Sequence, residues 1–133
     1  MSSTLRAGQR TYMQFDIPAT ELAAGTVMEL VAPHAGYIEE LVTSVETAIG
    51  TGGTIDVKTG DALAVTVAGL QQTIANSATK GTRQTTTATT SSTTRAVAKG
   101  DRIGIVPSAA FASAGAMTGH LVINTADTDP QAA

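Results

Sequence analysis

The sequence predicts a single-domain, all-β protein: a β-sandwich or jelly roll with an extended N-terminal arm. Short segments in which every second residue is apolar predict the strands, and clusters of Gly, Pro and Asp predict the turns between them. No long amphipathic helix is predicted anywhere in the chain. The spacing gives about eight to ten short strands, for which a closed barrel is the alternative architecture.

The chain of 133 residues has room for one domain with one hydrophobic core. We predict an N-terminal arm over residues 1–10, a β-sandwich domain over residues 11–125 and a flexible C-terminal tail over residues 126–133. Both ends are small and polar in composition. Because aromatic residues make up only 3% of the chain, the core is expected to be aliphatic.

The first segment of the domain, residues 11–17, alternates apolar and polar side chains and predicts a strand. Residues 19–24 fit one helical turn, which Gly25 closes. Alternation resumes over residues 26–32 and predicts a second strand. A proline follows each of the two strands and marks its end, because proline cannot donate a hydrogen bond to the sheet.

The longest periodic segment, residues 36–49, fits both a helical and a strand spacing. Its many β-branched residues and the glycines on both sides favour a strand. Residues 54–59 alternate more clearly and predict another strand. The two segments are predicted to form a hairpin around Gly50–Gly53.

The rest of the domain is predicted to contain several short strands and two long connections. The predicted strands cover residues 62–68, 70–74, 93–97, 102–106 and 120–124. The Thr-rich residues 79–94 predict a long exposed loop or an edge ribbon. Residues 108–117 predict a loop of small residues around Phe111.

Residues that bind metals or phosphates do not occur at the required spacings. The chain has no cysteine, and its two histidines, His34 and His120, have no second ligand nearby in sequence. Asp56 and Asp61 flank a turn but lack the spacing of a calcium loop. The glycine-rich Gly50–Gly53 has no lysine placed to hold a phosphate. We therefore expect no metal and no cofactor.

Catalytic groups are equally sparse. Glu39 and Glu40 are adjacent, and neighbours on a strand point to opposite faces, so they are not expected to form a carboxylate pair. No stretch combines a nucleophile, a base and an oxyanion donor. We therefore predict that the protein is not an enzyme.

The composition favours a protein that packs against other proteins. Charged residues make up only 14% of the chain and the net charge is −3, so a partner can cover the surface without desolvating many ions. No cluster of Lys and Arg supports nucleic-acid binding. No secretory signal and no apolar stretch of about 20 residues is present, so we predict no membrane association.

Three stretches carry a resemblance to a known class of proteins. They are TLRAGQRTYMQFDIPATELAAGT near the start, GYIEELVTSVETAIGTGGTIDVKTGD in the middle and VAKGDRIGIVPSAAFASAGAMTGHLVIN near the end. Together they span most of the chain, which resembles the capsid decoration, or cement, proteins of tailed-bacteriophage heads. The resemblance implies a β-rich fold that oligomerises on the outer capsid surface and bridges capsomers, without catalysis or cofactor. The Thr-rich segment and the tail have no counterpart in it.

On this basis we expect a structural virion protein, made in the bacterial host cytoplasm, that stabilises the head. Its expected partners are the major capsid protein and copies of itself, as a homo-dimer or homo-trimer. The predicted interface includes Arg6, Arg10 and Tyr12. The arm is expected to add a strand to a neighbour's sheet edge, with both arginines pairing with acidic groups. Deletion of residues 1–10 is therefore predicted to weaken assembly and leave the fold intact.

The alternative function is a receptor- or glycan-binding module of a head fibre or tail appendage. Sugar sites usually stack an aromatic ring on the sugar face. Only Tyr12, Tyr37, Phe15 and Phe111 are present, and Phe15 is predicted to be buried. This scarcity of aromatic rings favours the capsid role.

Overall fold

Two antiparallel sheets account for most of the chain, so the predicted all-β sandwich is confirmed. The computed structural model describes residues 10–89, 93–108, 110–111 and 115–125. The predicted C-terminal tail lies outside the described residues, and so do all the residues of the predicted arm except Arg10. The jelly-roll subtype remains a prediction.

The described residues form ten strands and one short helix. In chain order they are β1 (Arg10–Ile17), α1 (Ala19–Ala24), β2 (Met28–Val31), β3 (Gly36–Thr47), β4 (Gly53–Thr59), β5 (Val65–Thr66), β6 (Gln72–Ile74), β7 (Arg83–Thr87), β8 (Ala96–Val97), β9 (Arg102–Pro107) and β10 (Ala116–Thr125). A single 3₁₀ turn over Thr93–Arg95 precedes β8. The Gly36–Thr47 segment is therefore a strand, as its β-branched residues indicate.

The sheets, called sheet A and sheet B here, each contain five strands. Sheet A has the order β1-β10-β3-β7, with β8 also pairing with β3. Sheet B has the order β2-β9-β4-β5, with β6 also pairing with β4. All these pairings are antiparallel. The chain therefore passes from one sheet to the other at each of the first three connections between strands.

The predicted hairpin around Gly50–Gly53 is wrong, because β3 lies in sheet A and β4 in sheet B. Gly52 instead allows the backbone of this connection to lie close to the backbone at the end of β6. A Cβ atom on Gly52 would lie 2.0 Å from the carbonyl oxygen of Ile74, so only glycine fits there. The Gly52 N–H donates to the Asn76 side chain at 2.8 Å, which ties this crossover to the end of β6.

Side chains from both sheets meet in one core. Fully buried aliphatic residues alternate along the long strands, among them Ile17, Ile38, Leu41, Ile55, Ile103, Ile105, Leu121 and Ile123. Phe15 and Phe111 join this cluster, so both phenylalanines of the chain lie in the core. Apolar burial of this kind is the main term that stabilises a domain of this size.

The helix α1 connects the edge strands of the two sheets. Gly25 ends it in the left-handed conformation, with φ of 71°, which a residue without a Cβ adopts at little cost. The N–H groups of Gly25 and Thr26 bond to carbonyls of the last turn. The buried Leu22 anchors the helix to the core.

Several segments differ from their predicted extents. The strand predicted over residues 62–68 shrinks to β5, because Leu63 adopts φ of 52° in a turn closed by its N–H to the carbonyl of Gly60. In the Thr-rich segment, β7 pairs with β3 and forms an edge ribbon, while residues 90–92 lie outside the described part of the chain. The final strand begins at Ala116, earlier than the predicted residue 120.

Candidate functional site

The outer face of sheet A, which points away from the core, carries a polar network at one end. Arg10 pairs with Asn124 in register, and both side chains reach Glu39. The Arg10 Nε atom lies 2.6 Å from Glu39 Oε1, and the Asn124 amide donates to Glu39 Oε2 at 2.7 Å. Burial raises the pKa of Glu39, but these hydrogen bonds and the Arg10 charge outweigh it and hold the pKa below its ordinary value.

The network depends on a β-bulge in β3. Val122 of β10 pairs with Glu40, and the next residue, Ile123, pairs with Ile38, so Glu39 has no partner in the ladder. Glu40 shares the outer face with Val122, and Glu39 bonds to outer-face side chains. The expectation that the two glutamates point to opposite faces is therefore wrong, because the bulge breaks the alternation.

A second contact extends this end of the face. The Arg95 guanidinium lies 4.5 Å from the centre of the Tyr37 ring, within the range of a cation–π interaction. Tyr37 pairs in register with Asn124, so the contact adjoins the network around Glu39. This end of sheet A thus holds one ion pair, Arg10–Glu39, and one cation–π contact.

An aromatic pair occupies the middle of the same face. The Tyr12 and His120 rings meet edge to face with their centres 5.3 Å apart. The Tyr12 side chain is 57% exposed, whereas Val122, its register partner, is fully buried although it points away from the core. The face therefore combines one exposed ring with a small buried apolar patch.

At the other end of sheet A, the outer face contains a groove. It has a volume of about 390 Å³ and crosses β1, β10, β3 and β7. One cross-strand row runs along it, from Asp16 through Thr118 and Ser44 to Arg83. The short side chains in the middle form the floor, and the long ones on the outer strands form the rims.

Sheet B presents a different outer face. Leu63 and Val27 cover Gly104, where an added Cβ would lie 2.9 Å from Leu63 Cδ1 and 3.1 Å from Val27 Cγ1. Arg102 donates hydrogen bonds to Glu29 and to the carbonyl of Asp61. The hydrogen bond from Arg102 lowers the pKa of Glu29. This face therefore carries the apolar Val27 and Leu63 beside the Arg102–Glu29 ion pair, and Asp56 and Lys58 of β4 point to the same face.

The predicted interface residues fall on the edge strand of sheet A or outside the described part. Arg6 lies outside the described residues. Arg10 belongs to β1 instead of the arm, and its charge is paired with Glu39 of the same chain. Tyr12 is exposed on the outer face of β1. Arg10 and Tyr12 thus lie close together, and their role in a partner interface remains a prediction.

The two histidines lie in separate places. His34 donates from Nδ1 to the carbonyl of Ala35, and its Nε2 atom shares a hydrogen bond of 2.7 Å with the Thr11 hydroxyl. His120 meets Tyr12 and lines the groove. Among the described residues, no group of three or more His, Asp or Glu is placed to hold a metal ion.

The groove was not predicted from the sequence. Its lining residues come from four strands that are distant in sequence, and only the register brings Asp16, Ser44 and Arg83 into one row. Each residue alone is an ordinary polar position on a strand. Predicting the groove from the sequence would have required knowing how β1, β10, β3 and β7 pair.

Comparison with protein-family models, curated proteins and solved structures gives no match. Within the described residues, none of the helices is long and apolar enough to cross a membrane.

Proposed function

We propose that this chain is a structural virion protein that decorates the outer capsid surface and stabilises the head by bridging major capsid protein subunits. The supporting observation is the placement of exposed apolar side chains. Val27, Val31 and Val65 are 39%, 58% and 44% exposed, and all three lie in or beside the edge strands of sheet B. Val27 and Val31 lie at the β2 edge of the sheet and Val65 at the opposite, β5 edge. Exposed apolar groups at the edges of a low-charge protein favour a protein partner.

The strand order supports a jelly roll, the subtype predicted from the sequence. In sheet A the order is β1-β10-β3-β7, and in sheet B it is β2-β9-β4-β5. The first and last strands are neighbours, and successive early strands alternate between the sheets, as two nested Greek keys require. Viral capsid domains commonly use this architecture.

Bridging also needs many weak contacts acting together. A small module repeated over a capsid gains from multivalency, because each bound copy raises the effective concentration of neighbouring contacts. The outer face of β2 offers Val31, with Val27 just before the strand, and the charged residue of this strand, Glu29, is already paired with Arg102. We expect this face of sheet B to meet either the major capsid protein or another copy of the chain.

Co-sedimentation with bare capsids of tailed phages tests the proposal. The wild-type protein should bind saturably and slow the loss of capsid integrity on heating. Val31→Glu, which places a charge on the exposed face of β2, should weaken binding by about tenfold or more, since burying an unpaired charge is costly. Thr85→Glu adds the same charge to an exposed residue of sheet A and should bind like the wild type.

Equal melting temperatures for the two variants would show that a loss of binding reflects the interface. Absence of saturable capsid binding by the wild-type protein would overturn the proposed function. Equal weakening by Val31→Glu and Thr85→Glu would remove sheet B from the interface.

A further inference from the structure

The groove on sheet A is separate from the apolar edges that support the proposed function. Its residues lie on the outer face of sheet A, whereas Val27, Val31 and Val65 lie in or beside sheet B. Its volume of about 390 Å³ falls within the range of small-ligand sites. It is therefore a surface that the capsid-binding proposal does not use.

Most of the polar side chains of the groove are available to a ligand. Seven polar residues line the groove, and the buried Thr43 already bonds to Gln72. The side chains of the other six make no hydrogen bond or ion pair with any described residue; they are Gln14, Asp16, Ser44, Arg83, Thr118 and His120. The other end of the same sheet differs, because Arg10, Glu39 and Asn124 bond to one another there. The groove thus concentrates the donors and acceptors that the face leaves open.

The chemistry of this set defines the ligand. Asp16 offers only acceptors and Arg83 only donors, while the hydroxyl, amide and imidazole groups between them offer both. Three strand spacings separate Asp16 from Arg83, which places their Cα atoms about 14 Å apart across a twisted sheet. That width accommodates one or two sugar rings, and the opposite charges of the rims leave the groove with little net charge.

An aromatic platform adjoins the groove. Tyr12 is exposed, and its ring contacts His120, which lines the groove. Val42 adds an apolar patch to the floor. An aromatic face combined with hydroxyl-matching polar groups suits the apolar and polar sides of a sugar ring.

We infer that the groove binds a short, neutral saccharide through Asp16, Arg83 and the side chains between them, with Tyr12 stacking at its end. A phosphorylated ligand is disfavoured because one guanidinium faces one carboxylate across the groove. An amphipathic helix is disfavoured because the floor is mostly polar. An extended peptide would be expected at a strand edge, whereas this groove lies on a sheet face.

An array of immobilised neutral oligosaccharides, including bacterial surface glycans, tests the inference with the full-length protein. At least one glycan should bind, and titration of the ¹⁵N-labelled protein with that glycan should shift the amide signals of β1, β10, β3 and β7 around the groove. Asp16→Asn and Arg83→Gln should each weaken binding by about tenfold, because each removes charge-assisted hydrogen bonds. Tyr12→Ala should weaken it as well.

Lys80→Gln is the matched control, because it removes one positive charge from an exposed residue that precedes β7 and does not line the groove. It should bind like the wild type. The inference is overturned if no oligosaccharide binds, if the shifted signals lie outside the groove, or if Lys80→Gln weakens binding as much as Arg83→Gln. Preferential binding of an unglycosylated peptide would also overturn it.

The inference stands independently of the capsid proposal. Val31→Glu should leave saccharide binding unchanged, since Val31 lies on sheet B. Arg83→Gln should leave capsid co-sedimentation unchanged. If the experiments reject one of the two proposals, the same variants still test the other.

Discussion

Thr43 of sheet A donates a hydrogen bond to the side-chain amide oxygen of Gln72 in sheet B, with 2.5 Å between the oxygen atoms. Both residues are almost completely buried. The amide nitrogen of Gln72 donates to the Thr86 hydroxyl at 3.0 Å and to the Leu41 carbonyl at 3.4 Å. One glutamine thus joins β6 of sheet B to β3 and β7 of sheet A, and it fixes the two sheets relative to each other.

Replacing either Thr43 or Gln72 by an apolar residue leaves the other as a buried polar group without this hydrogen-bond partner. We expect Thr43→Val and Gln72→Met each to lower the free energy of unfolding by about 1–3 kcal/mol. The double variant should lose less than the sum, because it leaves neither member of the pair unsatisfied. Urea unfolding of the four proteins of this cycle measures the coupling.

Thr85→Val is the control for the Thr43–Gln72 pair, since Thr85 is an exposed threonine on β7 next to Thr86. Its free energy of unfolding should change by no more than about 0.5 kcal/mol. Strictly additive losses in the cycle would show that Thr43 and Gln72 do not act as a pair.

Phe111 fills a site that depends on a glycine. The ring is fully buried, and a Cβ on Gly53 would lie 2.9 Å from its Cε2 atom. We expect Phe111→Ala to lower the free energy of unfolding by about 3–5 kcal/mol, because it removes apolar contacts and leaves a cavity. Phe111→Leu should cost less, since it keeps part of the volume.

Chemical denaturation measures both Phe111 variants against Val65→Ala, which truncates an exposed side chain of β5. That control should stay within about 0.5 kcal/mol of the wild type. A loss below about 1 kcal/mol for Phe111→Ala would mean that the surrounding chain collapses into the space.

The strands were predictable from the sequence because each depends on local alternation. Residues 11–17 alternate strictly, and the structure places Phe15 and Ile17 in the core as this pattern requires. Pairing was less predictable, because glycines such as Gly52 occur both in hairpins and in crossovers between sheets. The short connection between β3 and β4 favoured a hairpin, but the two strands lie in different sheets.

The candidate sites depended on register and were harder to predict. Adjacent glutamates normally diverge on a strand, yet the bulge places Glu39 and Glu40 on one face. A bulge adds one unpaired residue and leaves no composition signal of its own. Likewise, Asp16 and Arg83 line opposite sides of one groove, because the register of β10 and β3 between them places both residues in the same cross-strand row.

The boundary of the arm affects how its deletion should be tested. Arg10 is part of β1 and pairs with Glu39, so removal of residues 1–10 would also disturb the sandwich. Deletion of residues 1–9 should leave the melting temperature unchanged and weaken capsid binding by about tenfold, if the arm adds a strand to a neighbour. Calorimetry and co-sedimentation separate the two effects, and unchanged affinity for the capsid would exclude this role for the arm.

The Glu39 network should make stability depend on pH in the acidic range. The pKa of Glu39 is lower in the folded protein than its ordinary value of 4.5, because the bonds from Asn124 and Arg10 outweigh the effect of burial. Its contribution is therefore complete above about pH 5 and is lost as the pH falls through the folded pKa. Glu39→Gln should lower the melting temperature at pH 7 by about 3–5 °C, which corresponds to about 1 kcal/mol.

The difference between the wild type and Glu39→Gln should stay constant from pH 7 to about pH 5 and then shrink as the wild-type carboxylate becomes protonated. Glu46→Gln removes the same charge from an exposed residue near the end of β3 and should produce no such pH-dependent difference. Thermal unfolding of the three proteins between pH 7 and pH 3 measures this directly. A difference that persists undiminished at pH 3 would show that Glu39 acts through packing, since its charge would then contribute nothing to the stability of the sheet.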